Sequence, residues 1–390
     1  MNILYIDWPC FGSVDVLFTL EHEMQHDVTK FFHKDYQERQ SSAFQSAFHE
    51  VVENHNFDCC FSFNYYPIIS ECCKQHNLKY IAFVYDSPYA YLFSYTVINP
   101  NNYIFIFDNS LYQRLAKENI PTVYYMPLPA NASVIDTLLT KCYDKERLSA
   151  DVSFVGALYN EQHNLFEKLE GMNDYCTGYI NALVQAQLKV SGYNFLEECI
   201  LAPHILTELQ RIYPIDKSAY SAEPPAYSYA HYFINRKITS LERCQLLSSI
   251  AAHFPLKIFT YSKNASIPFA QLMGTADYYS EMPYIFHNSK INLNITLRSI
   301  ESGIPLRAMD IMANEGFLLT NYQGDFLLEN FIPDEDFVYF EDEKDLLKKI
   351  DYYLAHDEKR SSIAHNGRNK IKEYFSYRIC FEKIFHIVFS

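Results

Sequence analysis

The feature that most restricts the fold is a rhythm. Through the first third of the chain, apolar runs of four to six residues, rich in β-branched and aromatic side chains, alternate with longer segments of helical period. The runs are Ile3–Ile6, Val28–Phe32, Asp58–Phe63, Tyr80–Tyr85, Tyr103–Phe107 and Val123–Met126, with helices such as Ala43–His55, Ile68–His76 and Ser110–Glu118 between them. Strands joined through helices build a parallel, doubly wound α/β sheet, whose ligands gather at the C-terminal ends of the strands. Residues 1–149 are expected to form one such domain.

Pro127, Pro129 and Asn131 break the rhythm, which restarts at Val152–Val155 with Gly156 directly after it. A second α/β domain is expected over 150–375. From about 161 to 228 it is interrupted by helical patterns such as Ile180–Val190 and Ile205–Ile212, punctuated by Pro203, Pro214 and Pro224-Pro225, which predicts a helical insertion. The alternation returns with helix Ser240–His253, strands Lys257–Thr260 and Lys290–Ile295, helix Pro305–Met312, and strands Phe317–Thr320 and Phe337–Phe340. Tyr377, Phe381, Ile384 and Val388 recur at intervals of four, three and four, so 376–390 is expected to be an amphipathic helix, docked on its own domain or back on the first.

Composition removes several function classes. The chain's 390 residues suffice for two cores, and its net charge of −15 argues against a nucleic-acid partner. No stretch approaches the ~20 apolar residues of a spanning helix. The first lysine is Lys30, so the basic start of a secretory signal is absent and a cytoplasmic protein is expected. The 10 cysteines include no CxxC and are expected to be reduced and mostly buried. Only 10 residues are glycine, so each is expected where a side chain does not fit.

His22-Glu23-Met24-Gln25-His26 spells a zinc-binding HExxH, which requires both imidazoles on one helical face. His26-Asp27-Val28 leads straight into a strand, so the segment is taken as a surface helix end. Asp334-Glu335-Asp336 resembles an Asp-x-Asp metal site, but in a polar loop it is taken as a solvated turn. No metal is expected. The stretch from Ile291 to Asn321 carries more. A strand ends at Asn294–Thr296, a loop holds Ser302-Gly303, and Pro305 opens a helix where its missing N–H costs nothing. Such a helix start binds anions, and Arg298 and Arg307 add donors suited to a diphosphate. Glu301 and Asp310 are placed to accept hydrogen bonds from ribose or sugar hydroxyls. The other reading is a strand–turn–helix whose arginines only neutralise local acids.

Lys290 to Asn321, with Asp151 to Gly156, Arg236 to Arg243 and His365-Asn366-Gly367, resembles the spore-maturation CgeB-type group of bacterial glycosyltransferases. The stretch from Phe61 to Pro88 resembles the domain that accompanies this group. The resemblance implies a GT-B fold, in which two Rossmann-like domains face each other across a cleft and a C-terminal helix returns to the first. It implies a nucleoside-diphosphate sugar, by family habit a uridine nucleotide, in the C-terminal domain, and a glycan or protein acceptor on the N-terminal one. Gly156 then lets the backbone approach the diphosphate, Arg236 or Lys237 neutralises it, and Thr260 and Tyr261 border the nucleobase. Ser302, Gly303 and Arg307 line the phosphates and sugar, and Asn294 and Asp310 are counted with them. Amides and arginines suffice to stabilise the leaving diphosphate without a metal or further cofactor.

The chain departs from retaining relatives at two points. Their Glu-x7-Glu is Ser302 and Asp310 here, and their strand-end histidine before an aspartate is Tyr85-Asp86, so stereochemistry stays open. Asp86 is the candidate base for an inverting transfer, and equally a cap for the Ser87-Pro88 turn. Two other functions fit the same residues: a GT-B sugar-nucleotide epimerase, and a non-catalytic nucleotide-sugar or glycan-binding protein.

Overall fold

The computed structural model describes residues 1–160, 164–190, 192–215, 220–262 and 267–390. Of the expected insertion, residues 161–163, 191 and 216–219 therefore lie outside the described residues. The chain divides into two compact units: Met1–Pro129 with 220–223 and Phe375–Ser390, and a second unit made of the described residues from Ala130 to Tyr374 apart from 220–223.

Unit 1 is a six-stranded parallel sheet. Its strands are β1 (Asn2–Ile6), β2 (Asp27–Phe31), β3 (Cys59–Phe63), β4 (Lys79–Val84), β5 (Asn102–Ile106) and β6 (Val123–Tyr125), in the order β2-β1-β3-β4-β5-β6. Alternate residues of a strand face opposite sides. Leu4, Cys60, Ala82 and Ile104 therefore meet Phe44, Phe48, Ile69 and Cys72 of the helices Ser42–Glu53 and Pro67–Gln75. Phe61, on the other face, meets Phe381 of the terminal helix Tyr377–Phe389 with ring centroids 5.4 Å apart. Lys79 Nζ fixes that helix's far end by donating to the Val388 carbonyl at 2.6 Å. Residues 220–223 join this unit through backbone bonds from Tyr95 N–H to Tyr220 O and from Ala222 N–H to Phe93 O.

Unit 2 repeats the plan with β7 (Val152–Val155), β8 (Leu256–Phe259), β9 (Gln271–Gly274), β10 (Ile291–Asn294), β11 (Leu318–Asn321) and β12 (Val338–Phe340), all parallel. The order is β12-β11-β10-β7-β8-β9, so the chain winds outward from β7 on one side and then on the other. The switch point lies between β7 and β10, where sheets of this kind take their ligands. The helical insertion has a core of its own, Leu169, Cys176, Ile180, Val184, Leu196, Ile205 and Leu209 packed on Tyr229, Phe233 and Ile238. All 10 cysteines are free and six are buried. Burial pushes the thiols of Cys72 and Cys380 up to about 12, which keeps them protonated and unreactive at neutral pH.

Candidate functional site

Three guanidinium groups gather at the switch point of unit 2. Arg243 lies on the buried face of the helix Asn235–Ala251 and is 2% exposed. Its Nε and Nη2 donate to Ile295 O, just after β10, and its Nη1 to Ala157 O, just after β7, at 2.6 Å. One buried cation thus ties the ends of the two strands that flank the switch. Its guanidinium lies 4.9 Å from the Tyr159 ring centroid and 5.4 Å from that of Phe154. Arg307, in the first turn of the helix Leu306–Ala313, lies 5.3 Å from the same Phe154 centroid and donates to Asn294 Oδ1 at 3.3 Å. Arg236 reaches the Tyr159 ring at 5.7 Å, and its buried Nε has no hydrogen-bond partner among the described residues.

This arrangement concentrates positive charge in a chain that is strongly acidic overall. Burial, and next the neighbouring Arg243 guanidinium, pull the Arg307 guanidinium below its ordinary range. Nearby Asp310, whose carboxylate accepts from Tyr278 Oη at 3.3 Å, pulls in the opposite direction. Such a crowded cation group is stabilised by an anion. Among the described residues no side chain caps the first turn of Leu306–Ala313; the Ala308 and Met309 amides donate to Pro305 O, which leaves those of Leu306 and Arg307 for the same purpose.

Gly156 is explained by Arg307. Its φ is +150°, and a Cβ there would strike the Arg307 guanidinium. Its N–H is engaged with Phe259 O at 2.9 Å, so the residue contributes space and not a donor. Asn294 is fully buried and braces the site, with Nδ2 donating to Thr296 Oγ1 at 3.0 Å and Thr320 Oγ1 at 2.9 Å while Oδ1 accepts from Arg307.

The other sequence candidates make contacts of their own. The Lys237 ammonium lies over the Phe166 ring of the insertion at 5.5 Å. Thr260 is buried, its Oγ1 accepting from Ser262 N–H at 3.2 Å, and Tyr261 is exposed beside it at the end of β8. Ser302 O accepts from Asp325 N–H and Gly303 O from Gln323 Nε2, which fixes the loop before the helix. Arg298 fits the other reading of this stretch, in which it neutralises an acid: it forms a two-pronged pair with Glu242 at 2.5 and 2.9 Å and donates to Val190 O.

On unit 1, Asp86 follows β4 and is exposed. Asn64, buried directly after β3 with φ +58°, donates to its carboxylate at 2.8 Å and accepts from the Tyr85 and Asp86 amides. Asn64 therefore sets the position of Asp86. The HExxH segment ends its helical turn at Glu23, Gln25 takes φ +56°, and His26 packs on Phe385, so the two imidazoles do not share a helical face. Asp334 (φ +62°) and Asp336 build a turn, accepting from Tyr353 Oη and Lys370 Nζ respectively.

Arg243, Tyr159 and Asn64 were not singled out from the sequence. For Arg243 a signal existed: Thr239, Arg243, Leu246 and Ile250 share one helical stripe, and a charge on a buried stripe asks for a reason. Asn64 carried none, because its role depends on a strand end 22 residues away.

Residues 243–385 match the family described as glycosyl transferase-like. No curated protein matches the chain. Among solved structures, a glycosyltransferase from Rickettsia africae aligns over 99% of this chain and 97% of its own at 13% identity, with a TM-score of 0.52. An alpha-glucosyltransferase in complex with UDP aligns over 100% and 99% at 10% identity and 0.54. Anabaena HepE in complex with UDP aligns over 100% and 99% at 9% identity and 0.53. At such identities the structures speak for the fold, which is GT-B. With the glycosyl transferase-like segment carried on that fold, the chain is a glycosyltransferase.

Proposed function

We propose that the chain transfers a sugar from UDP-sugar to a cell-surface glycan or protein, without a metal, as an enzyme of the CgeB-like type acting in the cytoplasm. The observation that carries this reading is the group Arg236, Arg243 and Arg307 at the β7/β10 switch point, opened by Gly156. UDP in two of the similar structures supports the choice of nucleotide. Arg307 and Arg236, with the amides of the Leu306–Ala313 helix, hold the diphosphate and stabilise the charge that grows on it as the glycosidic bond breaks. Fixed cations in a partly desolvated pocket supply the stabilisation that a divalent ion provides elsewhere. Asp310 binds a donor hydroxyl. Asp86, held by Asn64, takes the proton from the acceptor hydroxyl.

Calorimetry with UDP, GDP, CDP and ADP, each with EDTA and with magnesium, tests this. Selective UDP binding that EDTA leaves unchanged is expected. Binding that requires magnesium refutes metal independence, and silence across the panel refutes the donor site.

A further inference from the structure

Unit 2 holds a second polar cluster. His231 sits in the π-helical segment Tyr229–Ile234 that feeds the Arg236-bearing helix, and π-segments recur at functional sites. Its side chain is 4% exposed, and Nε2 points toward two carboxylates, Glu197 at 3.9 Å and Glu301 at 3.8 Å. Glu197 comes from the helical insertion, in the helix Leu196–Ile200. Glu301 directly precedes Ser302-Gly303 in the loop that leads to Arg307. The Tyr227 ring lies 4.3 Å from the imidazole, and Ser299 Oγ donates to His231 O at 2.7 Å, which pins this loop to the helix.

Asn235, a fully buried amide, lies with Nδ2 at 3.4 Å from His231 Nδ1, so Nε2 is the ring nitrogen left facing the carboxylates. Asn235 Oδ1 is buried without a hydrogen-bond partner among the described residues. The cluster therefore sets one imidazole nitrogen on its floor between two carboxylate acceptors. The glutamate side chains are 22% and 38% exposed, so solutes reach them. Adjacent sugar hydroxyls, each both donor and acceptor, match such a set.

The π-helical segment runs directly into the helix that carries Arg236, and Glu301 opens the loop that leads to Arg307, so the cluster and the guanidinium group are built on the same two elements. We propose that Glu197, His231 and Glu301 form the subsite that reads the hexosyl group of the donor, with the helical insertion contributing specificity through Glu197. The inference rests on the donor-site reading above. Two carboxylates accept hydroxyls and repel acids, so the sugar class is a neutral hexose and not a uronic acid.

The test compares UDP, UDP-glucose, UDP-galactose, UDP-N-acetylglucosamine and UDP-glucuronate by calorimetry on the full chain and on Glu197→Gln and Glu301→Gln. Both variants keep the side-chain shape, and neither replaces the buried histidine. In the parent chain a neutral UDP-hexose is expected to bind more tightly than UDP-glucuronate by about tenfold, the size of one hydrogen bond to a charged group. Each variant is expected to weaken the best neutral UDP-hexose by about tenfold, narrow the gap to UDP-glucuronate and leave UDP within about twofold. If UDP and UDP-hexose change by the same factor, or neither changes, the subsite is overturned while the donor site stands. If the parent chain binds no UDP, the donor site itself fails, and the subsite with it.

Discussion

Replacing Arg307 by methionine separates a binding role from a structural one. Methionine keeps much of the volume and removes the charge. In the free protein the guanidinium has one hydrogen bond to Asn294 at 3.3 Å and shares the Phe154 ring with Arg243. The two centroid distances of 5.3 and 5.4 Å place the guanidinium carbons no more than about 10.7 Å apart. At an effective dielectric of ~20 their repulsion is then at least roughly 1.5 kcal/mol, while the lost hydrogen bond is worth about 1 kcal/mol. The two effects nearly cancel, so the unliganded protein is expected to keep its stability within about 1 kcal/mol. UDP loses a charge-assisted contact of ~1.5–3 kcal/mol, a roughly 10- to 150-fold weaker Kd. Calorimetry gives the affinity, and thermal unfolding without nucleotide gives the stability. Unchanged UDP affinity would refute the assignment. A loss of more than ~3 kcal/mol in the free protein would make Arg307 a structural ion instead.

Gly156→Ala is expected to displace the Arg307 guanidinium and weaken UDP by about tenfold in calorimetry, close to the loss of one charged hydrogen bond. Asp86→Asn is expected to lower sugar transfer by ~10²–10⁴ with UDP binding intact, and Asn64→Ala to lower it less; normal turnover in Asp86→Asn excludes the base. The Glu208 carboxyl is held down to about 2 by hydrogen bonds from Arg211 and the Asn173 amide. Its contribution to stability is complete above the ordinary carboxylate pKa and disappears as pH falls toward about 2, so Glu208→Gln should flatten the acid limb of a circular-dichroism titration across that window.

Much of this architecture was legible because fully buried parallel strands have to be short apolar runs. Val152–Val155 is the strand as expected, and Tyr80–Tyr85 becomes Lys79–Val84 because the apolar run, not the backbone pairing, set the expected ends. The edge strand Gln271–Gly274 escaped notice: it is mostly exposed, so nothing in its side chains marks it. In the site, Arg307 was visible through the helix start that holds it, and Gly156 through the family resemblance. Between the two readings open for Arg298 the sequence could not choose, because its partner Glu242 lies 56 residues earlier, and a contact at that separation leaves no trace in local pattern. Glu197 falls in the insertion, whose helices could be recognised by period but whose packing onto the Tyr229–Ile234 segment could not.

The allocation of residues 375–390 to unit 1 bears on how the chain matures during synthesis. Phe381, Ile384 and Val388 are almost wholly covered, and Phe381 shields Phe61 of a central strand made more than 300 residues earlier. All of unit 2 is therefore synthesised before the helix Tyr377–Phe389 exists. Throughout that interval the surface around Phe61 stays uncovered, so the nascent chain carries an exposed apolar patch on its first domain. Completion of the first domain is thus deferred until the second has been made.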